Sequence, residues 1–388
     1  MGKFKESVEA HIKASIFSKT AEQFLYCNGQ DDEIYATLKL LGETLCAEYI
    51  PGQSSFYLVD GARVQAVAIH PYQTVLVCKG MLEFVFRLSS MMVGAERRQN
   101  FPDEQFYEPW CNRVWSWLNG GNLDWEDSRH WWLHDSAFRT VFNYCSKTIF
   151  TFIVLHEIGH LHHMHGARRL DKALQSGSFS VDEEVIHEAV AIHSAKTKAD
   201  KISAHACEIA ADTYAFQFLI DEVKSSIFDI EDYTSSGDQK TCVSSYCMAI
   251  YSVASFFWGL SFIYKMQEDA QDNDYPSHAF RLHSIETACL EHRICGMAQP
   301  HAVFALEFGM KSYTKKIICA ARNEDFVHWR LKINHKQNQD HYYRICEAMS
   351  SWSNMAFGTR DEDWAKNTTQ ASSPRFFVPD EATRTKPS

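Results

Sequence analysis

Residues 148–166 read TIFTFIVLHEIGHLHHMHG, an apolar run that turns abruptly rich in histidine. Ile149–Leu155 is interrupted only by Thr151, which predicts a helix over 147–166 whose first half enters a core. His156-Glu157-Ile158-Gly159-His160 falls within that helix and has the form HExxH. Residues four apart share one helical face about one turn apart, so both imidazoles can reach a single ion. Glu157 stands beside them, where a carboxylate can take a proton from water at that ion. Five residues alone are a weak signal, because the pattern arises by chance in many helices. The apolar run that leads into it sets it apart from a solvated histidine-rich helix.

A zinc site of the catalytic kind needs a third protein ligand and leaves the fourth position open. His163 shares the face of His156, but seven helical residues rise about 10 Å, too far for bonds of about 2 Å. A longer metalloprotease pattern, with Gly at +7 and His at +10, is not met: those positions hold His163 and Gly166. His162, His163 and His165 therefore read as surface or rim residues. The better third ligand is Glu208, in His205-Ala-Cys-Glu208-Ile-Ala-Ala-Asp212. This ExxAD segment has small residues that let two helices approach closely. Asp212, four residues on, would accept a hydrogen bond from the far nitrogen of a ligating histidine and fix its tautomer. Glu183, Glu184 and Glu188 are rivals in a polar stretch without such a pattern.

Working outward, the first fifty residues read as helical, over 34–41 and 43–50. Residues 56–88 carry FYLVD, ARVQAVAI and TVLVC, separated by Asp-Gly and His-Pro turns, and read as three short antiparallel strands with a helix behind them. Residues 93–135 are turn-rich and hold six of the ten tryptophans (Trp110, Trp115, Trp117, Trp125, Trp131 and Trp132), as a core or a cleft lip. A polar excursion spans 171–201, and a second helix is predicted over 205–223. Val243–Tyr264 is a run of 22 residues without charge, long enough to cross a bilayer. Its five serines and three tyrosines favour a buried core helix instead. Residues 369–388 read as a loose tail.

The chain of 388 residues, at about 150 per domain, allows one to three domains. Its charge of −11 argues against nucleic acid or an anionic membrane as partner, because phosphate binding relies on clustered Lys and Arg. The twelve cysteines are scattered without a CxxC pair, and the first fifteen residues carry charges where a signal core would be apolar. Glu6 also breaks the pattern for myristoylation of Gly2. Together these features lead one to expect a cytoplasmic protein with reduced thiols.

HEIGH, followed 48 residues after His160 by the ExxAD segment, resembles a gluzincin zinc metallopeptidase. Gln65-Ala66-Val67-Ala68, Thr74-Val75-Leu76-Val77 and Gly80-Met81-Leu82 resemble the hairpin that precedes the zinc helix in such families. Tyr275-Pro276-Ser277-His278-Ala279-Phe280-Arg281 resembles the H-P-x-x-x-x-R segment that follows the ExxAD helix, with Tyr275 where the family has His. The order of these pieces, over about residues 60–285, is similar to the Lit-type phage-exclusion and HtpX-like peptidases.

The resemblance implies an α+β, zincin-like fold, with a small antiparallel sheet or hairpin and a helical catalytic core. It implies one zinc per chain on His156, His160 and Glu208, Glu157 as general base, and an oxyanion donor among Tyr275, His278 and Arg281. The substrate would be a protein or peptide, added in extended form to a strand edge within 65–78. The implied division is an N-terminal portion over 1–135, a zinc-binding core over 136–300, an accessory helical extension over 301–368 and the tail. Two alternatives stand beside it: a catalytically silent binding protein on the same fold, and a membrane-embedded peptidase using 243–264. Oligomeric state is not legible.

Overall fold

The computed structural model describes residues 6, 9–10, 23–24, 33–50, 52–100, 136–163, 165, 198–227, 237–263, 276–292 and 336–350. Within them lie strands β1 (Gln23–Phe24), β2 (Ser55–Asp60), β3 (Ala66–Ile69) and β4 (Thr74–Cys78). The helices are α1 (Glu33–Tyr49), α2 (Lys79–Asn100), α3 (Ser136–His162), α4 (Lys198–Ile227), α5 (Gly237–Ile263), α6 (His278–His292) and α7 (Lys336–Ser350). The architecture is α+β: mostly helical, with one small sheet.

The sheet is mixed, in the order β1-β2-β4-β3, which corrects the expectation of three antiparallel strands. β2 and β4 run parallel, pairing Ser55 with Thr74 through Val59 with Cys78, while β3 and β4 form an antiparallel hairpin. The physical reason lies in β4 itself. TVLVC is apolar throughout rather than alternating, and all five residues are buried. Such a run is satisfied only with a strand on either side and cover on both faces. β4 therefore inserts between β2 and β3, and β3 is an edge of the sheet among the described residues.

Two local features permit this order. The hairpin turn His70-Pro71-Tyr72 ends at Gln73, whose φ of 44° and ψ of 50° lie in the left-handed region. The link from β2 to β3 crosses the start of α2, where the Gly80 N–H donates to Gly61 O at 2.8 Å. A Cβ at Gly80 would lie 2.2 Å from the Ala62 carbonyl oxygen, so no other residue fits without a backbone shift.

Behind the sheet, one apolar core joins α1, β2, β3, β4 and α2 to α3, α4, α5 and α6. Phe56 of β2 meets Phe150 of α3 edge-on at 6.0 Å, and Phe152 meets Phe256 and Phe257 of α5 at 6.0 and 5.8 Å. The uncharged stretch that starts at Val243 forms most of α5, with Ala249, Ile250, Val253, Ala254, Phe257 and Trp258 buried. It is a core helix, and no helix among the described residues is long and apolar enough to cross a membrane. A second, smaller core lies beneath α7, where Tyr342, Ile345 and Met349 cover Ala206 and Ala210 of α4 and Phe280 of α6.

Candidate metal site

The site forms where α3 and α4 cross. Gly159 of HEIGH lies against Ala211 of the ExxAD segment: a Cβ at Gly159 would stand 3.0 Å from Ala211 Cα and 3.1 Å from its carbonyl oxygen. Such proximity of backbones requires small residues on both helices. It brings His156 and His160, one turn apart on α3, up to Glu208 on α4.

His156 Nε2 and His160 Nε2 are 3.0 Å apart, and they lie 3.5 and 3.6 Å from Glu208 Oε2 and Oε1 respectively. These three side chains are the group among the described residues whose donor atoms can hold a metal ion. The donor set suits such an ion. A tetrahedral centre with bonds of about 2.0–2.1 Å holds its ligand atoms about 3.3 Å apart, close to all three spacings. Glu183, Glu184 and Glu188, the rival third ligands, lie outside the described residues.

Around this trio stands a second set of contacts. His156 Nδ1 lies 2.9 Å from Asp212 Oδ1. Arg281 grips Asp212 with two bonds, Nε donating to Oδ2 at 2.7 Å and Nη2 to Oδ1 at 2.6 Å. Its Nη1 reaches within 3.5 Å of Glu208 Oε2, and its guanidinium lies 4.9 Å from the centre of the Phe257 ring. The start of α6 explains the placement. Ser277 Oγ accepts the Phe280 N–H at 3.3 Å and caps the helix, so His278 opens it and Arg281 follows one turn later on the same face. His278 stacks on Phe257 at 6.2 Å, which makes that ring a shared platform for both side chains. Tyr275 lies outside the described residues.

The electrostatics follow from two buried carboxylates with one guanidinium between them. Burial alone would raise the Asp212 carboxyl, but Arg281 and His156 hold it down at about 2. Glu208 is likewise lowered against its burial, by His160, His156 and Arg281. Burial would depress His156, yet Asp212 and Glu208 pull it up to about 10. The pull that favours a proton there favours any cation, so proton and metal compete for His156 Nε2. His278 goes the other way: burial and the Arg281 charge push it down to about 3, so it is neutral.

Access is uneven. His156 and Glu157 keep 8% and 7% exposure, whereas His160, Glu208 and Asp212 have 1% or less. The whole group is buried, with its small residual exposure at His156 and Glu157.

The histidines after HEIGH require a correction. The sequence leads one to expect His162, His163 and His165 at the surface or the rim, and all three are buried. His163 and His162 pack against Tyr214 of α4, at 5.9 and 4.6 Å between ring centres, and His165 stacks on His163 at 5.5 Å. The aromatic Tyr214, two residues beyond Asp212, makes an apolar wall that the close helix crossing seals from water. His165 lies past the end of α3, where periodicity gives a side chain no direction, whereas His162 and His163 stand in the last helical turn, and the face His163 shares with His156 was the signal available for its burial. The clamp of Arg281 on Asp212 was also not foreseen; the signal available was a lone Arg following a capping Ser by four residues. No family model, curated protein or solved structure matches this chain.

Proposed function

We propose that the chain is a zinc-dependent endopeptidase of zincin-like, gluzincin type, with His156, His160 and Glu208 as ligands and Glu157 as general base. The observation that carries this reading is the convergence of two buried imidazole nitrogens and a buried carboxylate, with spacings of 3.0, 3.5 and 3.6 Å. Glu157 follows His156 directly in sequence and, like it, is buried with a small residual exposure. The resemblance of HEIGH and ExxAD to gluzincins supports zinc over other ions, as does the mixed nitrogen and oxygen donor set.

Zinc bound there would supply Lewis acidity toward a water and a substrate carbonyl. Glu157 accepts the proton of the attacking water and returns it to the leaving amine. Asp212 holds the His156 proton on Nδ1, which turns the Nε2 lone pair inward. Arg281, spent on Asp212, fixes that carboxylate and balances Glu208. Neutral His278 offers an N–H donor to the developing oxyanion, with Tyr275 as the other candidate. An extended peptide adds to the outer edge of β3, by backbone hydrogen bonds, so that side-chain pockets set preference. The scattered thiols support a reducing, cytoplasmic setting.

The test uses an unstructured polypeptide as substrate and elemental mass spectrometry for zinc. Wild type and Glu157→Gln should each carry one zinc, and only wild type should cleave, with at least about a hundredfold loss in the variant. Glu208→Ala should lose both zinc and cleavage. Undiminished cleavage by Glu157→Gln would overturn the mechanism. A wild type that takes no zinc on reconstitution would leave a binding protein on this fold.

A further inference from the structure

His160 has two nitrogens with different tasks. Nε2 faces His156 Nε2 at 3.0 Å and Glu208 Oε1 at 3.6 Å, while Nδ1 points the other way and meets His165 Nδ1 at 2.6 Å. Both rings are buried. A neutral imidazole that presents the Nε2 lone pair carries its proton on Nδ1, and a buried N–H needs an acceptor. Two facing nitrogens cannot both be protonated without repulsion, so His165 accepts at Nδ1.

We infer that His165 is a positioning residue for His160, holding the tautomer and ring orientation that the metal site requires. The inference rests on the metal-site reading above and extends it. Stacking on His163 at 5.5 Å and 19° holds the plane of His165, and Tyr214 in turn supports His163 edge-on. The His163 N–H still donates to Gly159 O at 3.0 Å, so the helical turn continues to that point before the chain brings His165 back over His160. A packed wall thus aims the acceptor.

The two ligand histidines differ in what stands behind them. His156 leans on a carboxylate that Arg281 clamps; His160 leans on a neutral imidazole. A carboxylate partner enriches its ligand and adds negative charge to the centre, whereas an imidazole partner orients its ligand and adds none. His165 therefore fixes geometry without weakening the centre's pull on electrons.

The test is titration of the full-length, metal-free protein with Co2+ and with Zn2+. His165→Asn keeps an acceptor oxygen near the place of Nδ1, and His165→Leu keeps bulk without one. Expected is Co2+ and Zn2+ binding weakened about tenfold to a hundredfold in His165→Leu, with an altered Co2+ visible spectrum, and within about threefold of wild type in His165→Asn. Metal-free thermal midpoints report whether each variant folds. In zinc-loaded wild type, nitrogen-15 imidazole spectra should show His160 protonated at Nδ1, which keeps the inference testable if His165→Leu does not fold. Equal binding by wild type and both variants overturns the inference and leaves the zinc reading intact. Equal loss in both variants overturns it as well, because packing alone then explains the position. So does a His160 unprotonated at Nδ1. A wild type that binds neither ion overturns the reading and the inference together.

Discussion

Arg281 and Asp212 face each other through two short bonds, with both side chains buried. Removing one partner of such a pair leaves the other charge buried and alone, at a cost of about 3–5 kcal/mol. Arg281→Met should destabilise the protein by that order in urea unfolding, and adding Asp212→Asn should recover part of the loss. A fully additive double variant would mean that the two side chains act independently. His278 makes a pH prediction. Its folded value of about 3 lies below the ordinary 6.5, so between them the unfolded chain holds a proton that the folded chain refuses. Its stability contribution is full above pH 6.5 and falls as pH drops toward about 3. One such proton corresponds to about 1.4 kcal/mol per pH unit. His278→Phe, which keeps a ring on Phe257, should flatten the slope of unfolding free energy in that window by about one proton. An unchanged slope would place the titration elsewhere.

At the scale of elements, the crossing of α3 and α4 sets the distance from His156 and His160 to Glu208. Gly159→Ala places a methyl about 3.0 Å from the Ala211 backbone, and backbone, unlike a side-chain tip, cannot swing aside. The helices must part by a few tenths of an ångström, moving Glu208 off the two imidazoles. Zinc affinity should fall by about tenfold or more, a loss of the size that misplaced ligands cause, while helix content by circular dichroism stays intact. Wild-type affinity in the variant would show that the crossing has slack.

This crossing was legible in the sequence, because HExxH and ExxAD each put their polar residues on one face and a small residue beside them. Neither the central place of β4 nor its parallel pairing with β2 was read there, although the lack of alternation in TVLVC was the signal for the first. Three short apolar runs joined by turns suit a meander equally well, and burial on both faces of the middle run decides only once the helices are in place. His165 was hidden for another reason: it lies past the end of α3 (Ser136–His162), where no period predicts direction.

For the molecule as a whole, α7 belongs to the structural support of the site. Tyr342, Ile345 and Met349 cover the flank of α4 that carries Ala206 and Ala210, close in sequence to Glu208. His341 reaches His205 at 2.8 Å across 136 residues of sequence, and Phe280, beside Arg281, packs on His341 at 5.5 Å. A chain cut before Lys336 should unfold at lower urea, by several kcal/mol from lost burial of three large side chains, and should bind an apolar dye on the uncovered flank. An unshifted urea midpoint would show that α7 only rests on the surface.

The spacing of these parts along the chain also imposes a schedule on synthesis. His156 and Arg281 are 125 residues apart. At about 5–20 residues per second, roughly 6–25 s separate their arrival, and α7 emerges later still. Throughout that interval the ribosome carries the histidines of HEIGH without the arginine that balances Asp212. A nascent chain assembled in this order holds His156 and His160 before Glu208, Asp212 and Arg281 exist to complete the group, so the candidate metal site can close only late in synthesis.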